Sequence, residues 1–345
     1  MHIHFYAPID KKTIKNIQNW NLNKEYYKFA HGVGHNLFEL YKRCSNKIKC
    51  SIGKEIPQNI TLIIIFSKHF NSSKDYLILK KFAVPVIRIL SDDKPQKKKF
   101  IKNITDVTPY DFHSKKLKRR QKKYLKKIYQ NQNYQIVWIP HFIQRGLKSR
   151  KISYNKKTYL NITFNGNKHN IPSFLKKKKL LKLGFKLNIN SNAKSWNKYS
   201  NSHLAICHTE SKVDINKYIK PPTKVLNAIA ADVVPIADNS YGNVSIIKHY
   251  RNGFIYKNEY DFLKILNFIK KNQLYCYKIL KNNKNFKKRY SNKNILNLWL
   301  NLIKKNKLKK IDINNSIYFF IFFENIKFAL KRMFYLFKFN LINFI

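Results

Sequence analysis

The chain breaks a lysine-rich background with short runs that leave no face of an extended strand for water. IHFYAPI (3–9), ITLIIIFS (60–67), VPVIRIL (84–90) and YQIVWIP (134–140) are the first four. A strand with one wet face alternates apolar and polar residues, so runs of this kind predict a parallel sheet covered on both sides. Helix-length segments separate them, as such a sheet requires. GVGHNLFELYKRC (32–44) reads as a helix entered through glycines, and HSKKLKRRQKKYLKKIYQ (113–130) as a very basic, solvated one.

The pattern then restarts. YLNITFNGN (159–167) is a strand ending in a glycine turn, IPSFLKKKKLLKLGF (171–185) a helix, SHLAICHTE (202–210) a strand, TKVLNAIAA (223–231) a helix, VVPIAD (233–238) a strand and EYDFLKILNFIKKN (259–272) a helix. The expectation is an α/β protein of two doubly wound domains, 1–150 and 151–313, facing a cleft at the carboxyl ends of their strands. A tail, 314–345, follows.

Composition limits function. The formal net charge is +53, from 70 Lys+Arg against 17 Asp+Glu. Nearly all the basic residues are lysine rather than arginine, the side chain best suited to reading phosphate and bases. Asn, Ile, Phe and Tyr are abundant as well, and all share AT-rich codons. This argues for codon bias and against a nucleic-acid partner. The charge still favours anionic lipid heads and negatively charged small substrates. The four cysteines, at 44, 50, 207 and 276, lack the C-x-x-C spacing of a zinc or redox site and read as ordinary thiols of a reducing cytoplasm. No secretory signal and no unbroken apolar run of spanning length is present, so a cytoplasmic protein is expected, with peripheral contact to the inner face of the plasma membrane as an option.

One stretch is nearly free of the lysine background. KPPTKVLNAIAADVVPIAD (220–238) keeps lysine only at Lys220 and Lys224. Pro221 and Pro222 stop a preceding helix and suit the entry of the next. Thr223 can cap that helix, and its free N–H groups with Lys220 and Lys224 beside them make a phosphate site. A helix packed beneath a ligand, followed by a strand buried on both faces, excludes further unpaired charge.

This stretch with the following YRNGFIY (250–256) resembles the nucleotide-sugar-binding segment of GT-B-fold glycosyltransferases. Pro222, Lys224, Asn227, Ala230 and Pro235 fall in its register. The chain departs from it at Asp232, where those enzymes carry glycine, and at Ile219 and Asn227, where retaining members carry glutamates. The resemblance implies a GT-B glycosyltransferase that moves a sugar from a nucleotide-sugar donor to a glycan or lipid-linked acceptor, as in surface polysaccharide synthesis. It implies no cofactor beyond the donor itself. The alternative is a non-catalytic relative that binds nucleic acid or a membrane surface.

Other candidate site residues follow from position. Gly166, Asn167 and Lys168 would approach a pyrophosphate, and His208 and Glu210 the base or ribose. Gly32 and Gly34 would admit the acceptor. His31 and His35 are candidate bases, with Asp111 and His113 as competitors. No Asp-x-Asp metal motif occurs, so no metal site is expected. Inverting and retaining outcomes both remain open.

The tail IYFFIFFENIKFALKRMFYLFKFNLINFI (317–345) sets Glu324, Lys327, Lys331 and Lys338 on one helical face among aromatic residues. Two readings stand: an amphipathic helix at a membrane interface, or a terminal helix packed back on the first domain.

Overall fold

The computed structural model describes residues 1–29, 32–69, 73–90, 101–102, 104–109, 135–154, 159–208, 220–306, 312–313, and 318–333 other than 320, 324, 328, 331 and 332. The expected basic helix at 113–130 lies outside them.

The first domain is built on a six-stranded sheet. Its strands are β1 (His2–Tyr6), β2 (Lys49–Gly53), β3 (Leu62–Phe66), β4 (Val86–Ile89), β6 (Ile104–Thr108) and β7 (Gln135–Trp138). Their order is β2-β1-β3-β4-β6-β7, and every pairing is parallel. All of β3 is buried, as an uncharged run between two helical layers must be. A short ladder, β5 (Ile101–Lys102) with β13 (Asp312–Ile313), lies apart from the sheet.

The second domain repeats the plan with β8 (Leu160–Asn165), β9 (Phe185–Asn190), β10 (Leu204–Cys207), β11 (Val234–Asp238) and β12 (Phe254–Tyr256), ordered β12-β11-β10-β8-β9 and again parallel. In both sheets the chain lays its second strand outside the first and then crosses back. The order therefore reverses between β1 and β3 and between β8 and β10. Ligand crevices of open α/β sheets form at such switch points.

The helices of the first domain are α1 (Lys11–Gln18), α2 (Glu39–Cys44) and α3 (Ser73–Lys80). Those after the linker are α4 (Lys177–Lys182), α5 (Thr223–Ala230), α6 (Tyr241–Ile246), α7 (Glu259–Lys271), α8 (Tyr275–Arg289) and α9 (Asn292–Asn306). Side-chain caps set two starts: Asp10 accepts from the Thr13 amide at 2.6 Å before α1, and Asn258 from Asp261 at 2.9 Å before α7.

Several elements differ from the sequence reading. The glycine-entered helix 32–44 is a π-helical turn, Gly34–Phe38, running into α2. The helix expected at 171–185 shrinks to α4: residues 171–176 form a turn and extended chain ahead of it, and only Phe185 at its far end belongs to β9. β2, β6 and β9 carry no clear apolar run. β2 and β9 are only partly buried, while β6 hides an acid. Asp106 of β6 stands in register with Arg88 of β4 and accepts from its Nε and Nη2 at 2.7 and 2.8 Å. Burial pushes the Asp106 carboxyl up, against the pull of Arg88. This bidentate pair lets two charges sit inside a sheet without solvent.

Helix α9 falls within the expected second domain, 151–313, yet its apolar face returns to the first. Ile295, Trp299, Leu302 and Ile303 are buried in one core with Phe5, Leu40, Ile64 and Val107. The Thr105 hydroxyl donates to Asn306 Oδ1 at 2.6 Å. The last long helix thus belongs to the core of the first domain.

Trp299→Ala leaves a large hole in the first core, and should lower the unfolding free energy by about 3–5 kcal/mol. Urea denaturation measures it. A loss below about 1 kcal/mol would mean that α9 is dispensable to the first domain.

Candidate functional site

The first wall of the cleft begins at the π-turn. A side chain at Gly34 would place its Cβ 2.2 Å from the Phe29 carbonyl oxygen, so the preceding turn, Tyr26–Phe29, sits directly on the glycine. π-turns widen the helical register and recur at functional sites. Here the turn carries His35, whose Nδ1 lies 3.1 Å from Glu39 Oε2, one turn further on. Arg43 donates from Nε to Glu39 Oε1 at 3.0 Å, and a second Arg43 nitrogen reaches the same oxygen. Burial pushes the Glu39 carboxyl up, but the His35 hydrogen bond and the charges of His35 and Arg43 outweigh it and hold it below its ordinary value. A carboxylate on Nδ1 fixes the imidazole so that Nε2 is its open nitrogen. That nitrogen is buried and has no hydrogen-bond partner.

The second wall is the switch point of the other sheet. β8 ends at Asn165, Gly166 follows it, and Lys224 of α5 lies against that glycine. A Cβ at Gly166 would meet Lys224 Nζ at 3.0 Å. Lys224 donates to the His208 carbonyl oxygen at 2.5 Å, with its ammonium 4.6 Å from the Phe164 ring centroid. Burial lowers its pKa to about 8, helped by Lys220 and resisted by Cys207 and Asp238. The Leu226 amide is the first in α5 to find an acceptor one turn back, at Pro222, so the N–H groups of Thr223, Lys224 and Val225 precede the helical ladder. Helix start and ammonium together turn positive charge toward the cavity, an arrangement that can receive an anion.

A strap from β7 closes the floor. His141 Nδ1 lies 2.9 Å from Thr223 Oγ1, and the His141 ring meets His35 edge to face at 5.2 Å. The Gln144 amide donates to Asn227 Oδ1 at 3.0 Å, and Asn227 Nδ2 donates to Gln144 Oε1 at 3.2 Å. Across the opposite rim, the Tyr26 hydroxyl donates to the Ala193 carbonyl at 2.9 Å. Between these contacts lies a cavity of about 360 Å³.

Of the residues singled out in the sequence, Gly32, His35, Gly166, Asn167, Thr223, Lys224 and Asn227 line that cavity. Gly34 packs behind it. Lys168 is exposed on a short turn, and Lys220 sits beside the lining residue Pro221. His208 turns inward, its Nδ1 2.8 Å from the Tyr256 hydroxyl and 3.4 Å from Asp238 Oδ2. His31, Asp111, His113 and Glu210 lie outside the described residues. Thr223 does not cap α5 as expected: it is the first helical residue, and its hydroxyl meets His141 instead. Asp232, where a glycine was anticipated by resemblance, adopts φ +58° and pairs with Lys287 at 2.7 Å. An aspartate tolerates that left-handed conformation better than most residues.

Glu39, Lys68, His141, Gln144 and Arg145 also line the cavity and were missed. Lys68 and His141 each follow the carboxyl end of a strand, a position that marks ligand-facing residues in such folds. Among the described residues, no group of three or more His, Cys, Asp or Glu is placed to hold a metal ion.

No family model matches the chain, and no curated protein matches it in sequence. Solved structures do match in fold. A glycosyltransferase from Rickettsia africae is similar with a TM-score of 0.53 at 12% identity, over 88% of this chain and 98% of that one. Sucrose-phosphate synthase from Thermosynechococcus elongatus gives 0.51 at 9%, over 88% and 98%. HepE from Anabaena, in complex with UDP-glucose, gives 0.50 at 11%, over 88% and 100%. The fold is GT-B: two Rossmann-like domains, each with its switch point on the shared cleft.

Lys224 is held in a place that disfavours its charge. Its folded pKa lies below the unfolded one, so the penalty is complete below pH 8 and is relieved as pH rises from about 8 towards its ordinary value. Lys224→Met should therefore stabilise the protein at pH 7, by about 1–3 kcal/mol, while weakening nucleotide diphosphate binding by about tenfold or more. Thermal melting and calorimetric titration read the two effects. A destabilised variant with intact affinity would contradict both assignments.

Proposed function

We propose that this chain is a glycosyltransferase that transfers a sugar from a nucleotide-sugar donor to a hydroxyl of a glycan or lipid-linked acceptor, in the synthesis of a surface polysaccharide. The observation that carries this reading is the cleft itself. An anion cradle made of Gly166, Lys224 and the start of α5 faces a histidine oriented by a buried carboxylate, His35 on Glu39.

Each part has a chemical task. The donor's diphosphate rests on the α5 amides and the Lys224 ammonium. His35 Nε2 accepts the proton of the acceptor hydroxyl as its oxygen attacks the anomeric carbon. The bond from that carbon to the diphosphate oxygen breaks, and the leaving diphosphate takes the electron pair. Lys224 and the helix dipole stabilise the charge that develops there. Glu39 keeps the imidazole in one tautomer and steadies the imidazolium. A base in this position favours an inverting displacement. The donor is a substrate, and the reading assigns no separate cofactor. Among structures of this fold, HepE is found with UDP-glucose, which supports a UDP-sugar as the first donor to test. A lipid-linked acceptor would be met at the anionic cytoplasmic face of a membrane.

A thermal-shift series with UDP, GDP, ADP and CMP tests the donor. UDP at a hundred times its dissociation constant should stabilise the fold by about 2.7 kcal/mol, and the absence of a shift with all four nucleotides would sink the proposal. His35→Ala should lower turnover by about 10²–10⁴ with UDP affinity unchanged. Normal turnover in that variant would remove His35 as the base.

A further inference from the structure

The described residues between 318 and 333 are helical, and six large apolar side chains point away from the protein: Phe319, Phe322, Phe323, Ile326, Leu330 and Met333. Each is between 39% and 62% exposed. At about 100° per residue they fall within an arc of about 100°. Single exposed apolar residues are ordinary, but a continuous stripe of this kind marks a contact surface.

The opposite side of the same helix is attached. Ile321, about 200° from Phe319 at that spacing, packs against the first-domain cluster of Ile63, Ile65, Leu79 and Val86. Lys80 of α3 sits over the Tyr318 ring, 5.2 Å from its centroid. β13, just ahead of the helix, pairs with β5. The helix is thereby fixed to the first domain along one side and open along the other. Packing back on the fold and offering an apolar face are compatible here, because they use different sides.

We propose that this stripe is a docking surface for an anionic lipid bilayer, in whose interface the helix lies parallel to the membrane plane. The chemistry selects that occupant. Aromatic and aliphatic side chains along one side suit the boundary between headgroups and acyl chains. Lys327 is exposed beside the stripe, and the whole chain carries a formal charge of +53, which an anionic surface attracts and another copy of this chain repels. The inference deepens the reading above by naming where a lipid-linked acceptor is met. It rests on that reading for its purpose but not for its geometry.

Sedimentation with vesicles tests it. The full-length protein should pellet with vesicles of phosphatidylcholine and phosphatidylglycerol, less so at high salt, and much less with phosphatidylcholine alone. Phe322→Glu/Phe323→Glu should weaken that binding by about a hundredfold or more, with circular dichroism and the UDP thermal shift unchanged. As a second variant, Phe322→Trp should bind normally and shift its emission to the blue on adding vesicles. Equal binding to neutral vesicles, or full binding by the double glutamate variant, would overturn the proposal. So would a wild-type protein that ignores vesicles but dimerises through the stripe. A protein that binds vesicles yet shows no UDP shift would support the docking surface and sink the transferase reading.

Discussion

Lys224 places an ammonium group where burial disfavours its charge, between the His208 carbonyl and the face of Phe164, and the second half of the cleft is arranged around that group. Gly166 leaves room for that ammonium, which a Cβ there would meet at 3.0 Å. Pro221 and Pro222 precede α5 so that the helix starts at the lysine's own level. An ammonium held this way is a poor contributor to stability, and under the proposed function a diphosphate would offset the unfavourable burial of its charge. On the facing wall the polarity is reversed. Glu39 keeps His35 oriented, and the strap through His141 and Gln144 fixes the spacing of the two walls by gripping Thr223 and Asn227.

Much of this was legible in the sequence, for physical reasons that can be named. β1, β3, β8 and β11 announced themselves because a strand buried on both faces has no place for lysine in a chain otherwise full of it. The start of α5 was legible for the same reason, with two prolines marking its edge. β6 was not, because Asp106 and its neighbouring threonines break the apolar run, and only the register with Arg88 makes the acid tolerable. The π-turn has no signature beyond two glycines. Its need for Gly34 comes from Phe29, whose contact depends on a turn no local pattern specifies. His141 and Gln144 act on partners 82 and 83 residues away, so no spacing rule within one element reveals them. Thr223 shows how a correct location can carry an incorrect role. It stands at the helix start, but its hydroxyl serves the other domain.

The last helices change how the two domains are to be regarded. Since α9 completes the first core, the chain passes between the two domains twice, once after β7 and again between α8 and α9. The tail helix then continues along the first domain. It packs with Ile63 and Ile65, on the face of the first sheet opposite the one that Phe5 and Ile64 share with the π-turn and α2.

The central claim is that the buried Lys224 ammonium, held at a lowered pKa, receives the donor's diphosphate. Calorimetric titration of UDP at about pH 8.5, in two buffers of different ionisation enthalpy, measures it directly. If the free lysine titrates near 8 and the bound one well above it, binding takes up a fraction of a proton per nucleotide, and that uptake vanishes in Lys224→Met. Binding with no proton uptake in the wild-type protein would contradict the account.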